Sequence, residues 1–143
     1  MRILIVEDQA DIRDVLCEIL SQAGHVITST TNYHEAAALL AAPGAAGWCD
    51  LMVSDVVLPG GSGHDLAAQA RSRGVRVLLC SGHPERLAEL ERLGVAHLRK
   101  PFTLRCLLVR VGDLLAAPAP TAATANARGR AGEDAASYTF ESN

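Results

Sequence analysis

Five polar residues stand at the ends of short apolar runs: Glu7 and Asp8 after Ile3-Leu4-Ile5-Val6, Asp55 after Leu51-Met52-Val53, Ser81 after Val77-Leu78-Leu79, and Lys100 after Val95–Arg99. Three carboxylates brought to one place repel, since two unit charges about 4 Å apart interact at about 4 kcal/mol with an effective dielectric of about 20. Nothing in a hydrophobic core explains accepting that cost. A divalent cation and the ammonium of Lys100 would relieve it. An all-oxygen, carboxylate-rich shell favours a hard cation. One that keeps waters and leaves room for a phosphoryl group suits Mg²⁺, with Mn²⁺ as the alternative. Such a set supports phosphoryl chemistry, because an aspartate can act as nucleophile and form an aspartyl-phosphate. The cation and the lysine would spread charge on the transferred group, and the Ser81 hydroxyl would hydrogen-bond one of its oxygens. No Walker loop or other glycine-rich phosphate motif accompanies them, so the chain shows no means of using ATP directly.

Positioning these residues requires strands that end together. The unbroken run Ile3–Val6 suits a strand buried on both faces. Ile12, Val15, Leu16, Ile19, Leu20 and Ala23 then recur at helical spacing before Gly24, an amphipathic helix with its terminal glycine. The alternation repeats. A second strand spans Val26–Thr30, and Asn32 with Glu35 caps an alanine-rich helix that ends before Pro43. Pro43, Gly44 and Gly47 mark a loop, Leu51–Asp55 a third strand, and Pro59-Gly60-Gly61-Ser62-Gly63 a turn-rich loop opening a helix that closes near Gly74. Val75–Ser81 reads as a fourth strand, Pro84 as the first turn of a helix closed by Gly94, and Val95–Arg99 as a short fifth strand. Leu104, Leu107, Leu108, Val111, Leu114 and Leu115 stripe a last helix that Thr103 caps. Five such units imply an α/β fold: a doubly wound five-stranded parallel sheet with helices on both faces. Its ligand site is expected beyond the carboxyl ends of the strands.

At 143 residues the chain makes one domain the default. Apolar residues make up 49%, enough to fill a core, whereas 3% aromatics exclude base-stacking platforms as a main theme. A net charge of −3 argues against direct nucleic-acid binding. Acidic residues interrupt the amino terminus before any leader-length apolar stretch, and no run approaches the ~20 apolar residues of a membrane span. The expectation is a soluble, cytoplasmic protein without membrane contact. Cys17, Cys49, Cys80 and Cys106 show no metal spacing and read as reduced, mostly buried small hydrophobes. A foldable unit is expected over residues 1–115. Residues 116–143 read as a disordered low-complexity tail, with a docking peptide at Tyr138-Thr139-Phe140 as the alternative.

Glu7-Asp8, Ser54-Asp55 followed by Val56-Val57-Leu58-Pro59-Gly60 and Gly63, Ser81-Gly82, and Lys100-Pro101-Phe102, in that order and each at a strand end, resemble the receiver domain of two-component response regulators. The likeness runs from about Arg2 to Leu115 and implies the flavodoxin-like strand order 2-1-3-4-5. It further implies that Asp55 accepts a phosphoryl group from a phosphohistidine on a sensor kinase or phosphotransfer protein. Asp8, Asp55 and the backbone carbonyl of Val57 would ligate Mg²⁺, with Glu7 acting through water. Lys100 would pair with the phosphoryl group or the carboxylate, and Ser81 would move toward the phosphate and signal its presence. A cis bond before Pro101 is expected.

This chain departs from the pattern at two positions, and two others bear on the phosphoryl lifetime. His97 stands where an aromatic residue usually swings inward with the hydroxyl; a Ser81–His97 relay through this smaller polar ring would either couple less well or add pH sensitivity. Gly61 replaces a large apolar residue, which suggests a looser loop. Val57 and His83 match positions that tune the phosphoryl lifetime; for His83 a plain surface role beside a helix start is the commoner explanation. Output is expected through protein contact with a downstream effector. The expected face comprises the fourth helix, fifth strand and fifth helix near Arg86, His97, Arg99 and Arg105. A relay intermediate or phosphate sink is the alternative role.

Singly, each motif has a bland reading. Glu7-Asp8 would suit a helix cap, Asp55 a turn, Ser81-Gly82 a helix start and Lys100-Pro101 a surface turn; their joint occurrence argues otherwise. His25, His34 and His64 read as surface residues. An aspartyl-phosphate phosphatase of the haloacid-dehalogenase type would carry a second Asp two positions after the nucleophile, where this chain has Val57. It would also place its nucleophile on the first strand. A flavin carrier of similar topology would need a phosphate loop where Glu7-Asp8 would repel one. A non-phosphorylated interaction module keeps the fold but leaves the acidic group unexplained. A signalling receiver rather than an enzyme fits best.

Overall fold

A computed structural model describes residues 1–42 and 48–120. The chain alternates strands and helices: β1 (Arg2–Val6), α1 (Ala10–Gln22), β2 (Val26–Thr30), α2 (Tyr33–Ala41) and β3 (Leu51–Asp55). There follow β4 (Val57–Leu58), β5 (Gly61–Ser62), α3 (Gly63–Ser72), β6 (Arg76–Ser81), α4 (Pro84–Leu93), β7 (His97–Arg99) and α5 (Leu104–Ala116). The main sheet is parallel with order β2-β1-β3-β6-β7, the flavodoxin-like arrangement.

The unbroken apolar strands are explained by cover on both faces. Leu4, Val6, Met52, Val77 and Leu79 pack against Ala36 and Leu40 of α2, Leu66 and Ala70 of α3, and Leu90 of α4. Ile3, Ile5, Leu51, Val53, Leu78 and Cys80 face the other way, against Leu16 and Leu20 of α1 and Leu107, Val111 and Leu114 of α5. Each such large side chain taken from water stabilises the fold by about 1.5–3 kcal/mol. The edges are managed differently: β7 has three residues, and β2 carries Thr28, Ser29 and Thr30.

The local signals act as read. Asn32 accepts from the Glu35 amide, while the Glu35 carboxylate reaches back to the Thr31 amide. Thr103 accepts from the Cys106 amide, Pro84 opens α4, and Gly94 closes it in the left-handed conformation. Two boundaries shift. The fourth and fifth strands of the main sheet start at Arg76 and His97 rather than at Val75 and Val95, although Ala96 O already accepts from the Leu79 amide. The Pro59–Gly63 segment is no plain loop, for β4 and β5 pair antiparallel across it. Pro59 and Gly60 (φ +86°) make the turn, Gly60 supplying the left-handed residue that a type II turn demands. The Pro43-Gly44-Gly47 loop, nearly all of the tail, and Tyr138-Thr139-Phe140 lie outside the described residues.

No disulfide joins the four cysteines. Burial pushes the thiols of Cys49 and Cys80 up to about 11 and about 12, which fits inert core groups. Among the described residues no helix is long and apolar enough to cross a membrane.

Candidate functional site

The order of the sheet reverses at β1, with α1 and α2 passing to opposite faces, so a crevice opens past the carboxyl ends of β1 and β3. Val6 lies opposite Ser54 in the ladder, which sets Glu7 and Asp55 abreast. One carboxylate oxygen from each of Glu7, Asp8 and Asp55 lies within 4.8 Å of the other two. Glu7 is buried, Asp55 half-buried and Asp8 exposed. The crowding expected from residue types is therefore real, and the ammonium that answers it is in place. Lys100 Nζ lies 2.5 Å from Asp55 Oδ1 and 3.3 Å from Glu7 Oε1.

Backbone geometry aims that lysine. The Lys100–Pro101 bond is cis, and the Lys100 amide donates to Ser81 O at 2.8 Å, extending the β6–β7 ladder by one bond. Glu7 is fixed likewise: its amide donates to Thr30 O, its carbonyl accepts from Arg13 Nη1 at 2.9 Å, and Oε2 accepts from the Gln9 amide at 3.3 Å. Burial, then the hydrogen bond and charge of Asp55, push Glu7 up to about 7, with Lys100 opposing in part. Burial pulls the Lys100 pKa down, but Asp55 and then Glu7 outweigh it and leave it raised. The all-oxygen donor set, with Asp8 open to solvent, fits a hard divalent cation such as Mg²⁺.

The remaining expected residues fall in two groups. Ser81 ends β6, buried, and its Oγ accepts from the His83 amide at 3.1 Å, which leaves its own proton to donate elsewhere. His83, exposed, is the N-cap of α4 but makes no side-chain cap, and Val57 is exposed on β4. His97 corrects an expectation. It is 5% exposed and contributes no docking surface. Its Nδ1 lies 2.9 Å from Val95 O; a carbonyl only accepts, so Nδ1 carries the proton. Register places Ser81 and His97 on one face, His97 opposite Leu79 and Ser81 opposite Arg99. Among the described residues no hydrogen bond links the two.

Two contributors, Arg13 and Tyr33, escaped the sequence reading, and the part played by Gly63 was not legible in it. Arg13 on α1 has no local signature. Gly63 was read with the Asp55 motif and the glycine-rich turn, but without its contact: a Cβ there would strike the carbonyl oxygen of Asp55, and its amide donates to Val56 O at 2.6 Å. Tyr33 covers Gly61: a Cβ on that glycine would clash with Cγ and Cδ2 of the Tyr33 ring. Tyr33 thus backs the loop on the side where the apolar side chain is missing.

Comparison with known proteins agrees with this geometry. The family model described as the response regulator receiver domain matches residues 3–112. The phosphate regulon transcriptional regulatory protein PhoB of Klebsiella pneumoniae is 33% identical over 128 residues, covering 85% of this chain and 54% of its own length. The chain thus spans about half the length of that curated relative. The receiver domain of the hybrid histidine kinase CckA superposes with a TM-score of 0.66 at 33% identity, over 80% of this chain and 99% of that one. The Thermotoga maritima response regulator TrrA, solved in complex with Mg²⁺ and BeF, gives 0.67 at 28% identity, over 79% and 97%.

Proposed function

The chain belongs to the response regulator receiver domain family, and from that premise we propose that Asp55 is the phosphoryl acceptor of a receiver acting by protein contact. The family membership makes it a signalling receiver domain of two-component phosphorelay systems, not a classical enzyme. The observation that carries the assignment is Lys100 Nζ bound at once to Asp55 and Glu7, with the oxygen of a third acid within 4.8 Å.

An Asp55 oxygen attacks the phosphorus of a phosphohistidine on a sensor kinase or phosphotransfer protein. The P–O bond forms as the P–N bond breaks, and the electron pair stays with the histidine nitrogen. Lys100 turns from the carboxylate to a phosphoryl oxygen, and Ser81 donates its spare proton to another. Glu7 (through water), Asp8, Asp55 and the Val57 carbonyl would hold Mg²⁺, which when bound supplies positive charge against the phosphoryl oxygens. Val57 and His83, both exposed and two residues past Asp55 and Ser81 respectively in the chain, are the residues proposed to set the phosphoryl lifetime.

Output is assigned to the α4–β7–α5 face, where exposed Arg86, Arg99 and Arg105 alternate with exposed Glu85, Glu89 and Asp113, a mixed-charge surface for an effector. His97 acts beneath that face as the buried partner of the Ser81 movement. Phosphorylation biases a two-state equilibrium so that an effector binds one state better. Binding an effector no differently with and without beryllofluoride would leave relay intermediate or phosphate sink as the role.

The test of the acceptor is radiolabel transfer from acetyl phosphate with Mg²⁺. Asp55→Asn and chelation should each abolish labelling. Persistent label on the Asn variant would remove Asp55 from its role.

A further inference from the structure

The β4–β5 ribbon joins Asp55 to α3, and it has only two residue pairs. A ribbon that short does not hold itself in water, so something outside it must fix its path. Its two adjacent glycines show what does. Gly60 adopts φ +86°, and a Cβ there would meet the His34 ring at 2.8 Å. At Gly61 a Cβ would clash with Cγ and Cδ2 of the Tyr33 ring.

Tyr33 is held from several sides. It is the first residue of α2, and its amide donates to Pro59 O at 3.0 Å, at the tip of the ribbon. Its hydroxyl accepts from Gln69 Nε2 of α3 at 2.8 Å, and its ring makes an edge contact with His34, centroids 5.5 Å apart. The ring is thus tied to the turn and to α3, while its face covers Gly61.

We propose that Tyr33 is a positioning residue for the phosphoryl acceptor. Its ring takes the volume a side chain at position 61 would fill and fixes the ribbon that presents Val57 beside Asp55. This rests on the role given to Asp55 and Val57 above. Glycine at 61 and tyrosine at 33 form a single packing unit drawn from two elements. The alternative is that Tyr33 merely extends the core on the α2–α3 side, which it also touches. The two differ in what a side-chain swap does.

Hydrogen exchange without Mg²⁺ and labelling by acetyl phosphate with Mg²⁺ are measured on the same variants. Tyr33→Ala should speed exchange of the amides of Val57, Leu58 and Gly60–Ser62 about tenfold and slow labelling by a similar factor, while the β1 amides stay unchanged. Tyr33→Phe keeps the ring and should hold both readouts within about twofold of the parent, since it loses one half-exposed hydrogen bond. Gly61→Met alone displaces the ring and should loosen the ribbon. Tyr33→Ala/Gly61→Met refills the volume from the other side and should restore slow exchange and labelling toward the parent values.

A double variant no tighter than Tyr33→Ala, or one that does not fold, overturns the proposal, as does Tyr33→Ala with parental exchange. Uniform loss of protection, β1 included, would make Tyr33 an ordinary core residue and overturn it too. If the parent chain takes no label, the phosphoryl-acceptor reading fails instead, and the exchange data still decide the claim about Tyr33.

Discussion

Glu7 is where residue chemistry and stability meet. In the folded chain burial and Asp55 raise it from 4.5 to about 7, whereas in the unfolded chain it returns to its ordinary value. Between those values the folded state keeps a proton that the unfolded state has released. Unfolding free energy should therefore fall as pH climbs from 4.5 to 7 and level off above. Urea midpoints at pH 5, 6, 7 and 8 should show that slope in the parent and lose it in Glu7→Gln. A parent midpoint flat across this window would remove the strained acid from the account. The same proton competes with a cation for the site, so Mg²⁺ affinity should rise over the same pH interval.

At the scale of elements, two glycines make opposite predictions. Gly63 opens α3 against the backbone of Asp55, and its replacement by Ala has no room. Gly63→Ala should cost about 1–3 kcal/mol by overpacking and displace Asp55, so denaturant midpoint and labelling rate fall together. Gly112 lies on the exposed side of α5, with nothing within 4 Å of an added Cβ. Gly112→Ala should stabilise by about 0.4–1 kcal/mol without touching labelling. A destabilised Gly112→Ala would mean that α5 is packed differently from what its contacts indicate. The Thr103 cap belongs with these: Thr103→Ala should cost about 1 kcal/mol in urea unfolding, through the lost bond to the Cys106 amide.

Across the whole molecule, one sheet carries two cores and a single charged rim. The carboxylates of β1 and β3 reach that rim because both strands are central and buried on both faces, so a ligand there is felt by the entire fold. A cation that binds the folded state alone raises stability with the logarithm of its concentration. Thermal midpoints at pH 7.5 should climb steadily with added Mg²⁺, and Asp8→Asn should flatten that climb while raising the midpoint without metal, since it removes one of three repelling carboxylates. Asp8 suits this test because its side chain is exposed, in contrast to buried Glu7 and half-buried Asp55.

Much of this was legible in the chain itself. Ile3–Val6, Leu51–Val53 and Val77–Leu79 declare buried strands because an unbroken apolar run of that length needs cover on both faces; Asn32, Pro84, Gly94 and Thr103 punctuate helices through bonds made within a few residues. The polar residues at the strand ends follow from the alternation alone, since parallel strands must finish at the same edge. What local pattern does not carry is how distant elements meet. Tyr33 fills the volume above Gly61, Gly63 seats α3 on Asp55, His97 turns into the interior instead of toward a partner, and burial lifts Glu7 above its usual range. Periodicity and capping act over a turn or a strand, so residue order determines them; packing and desolvation depend on the register and layering of the finished sheet, and only the tertiary structure decides those.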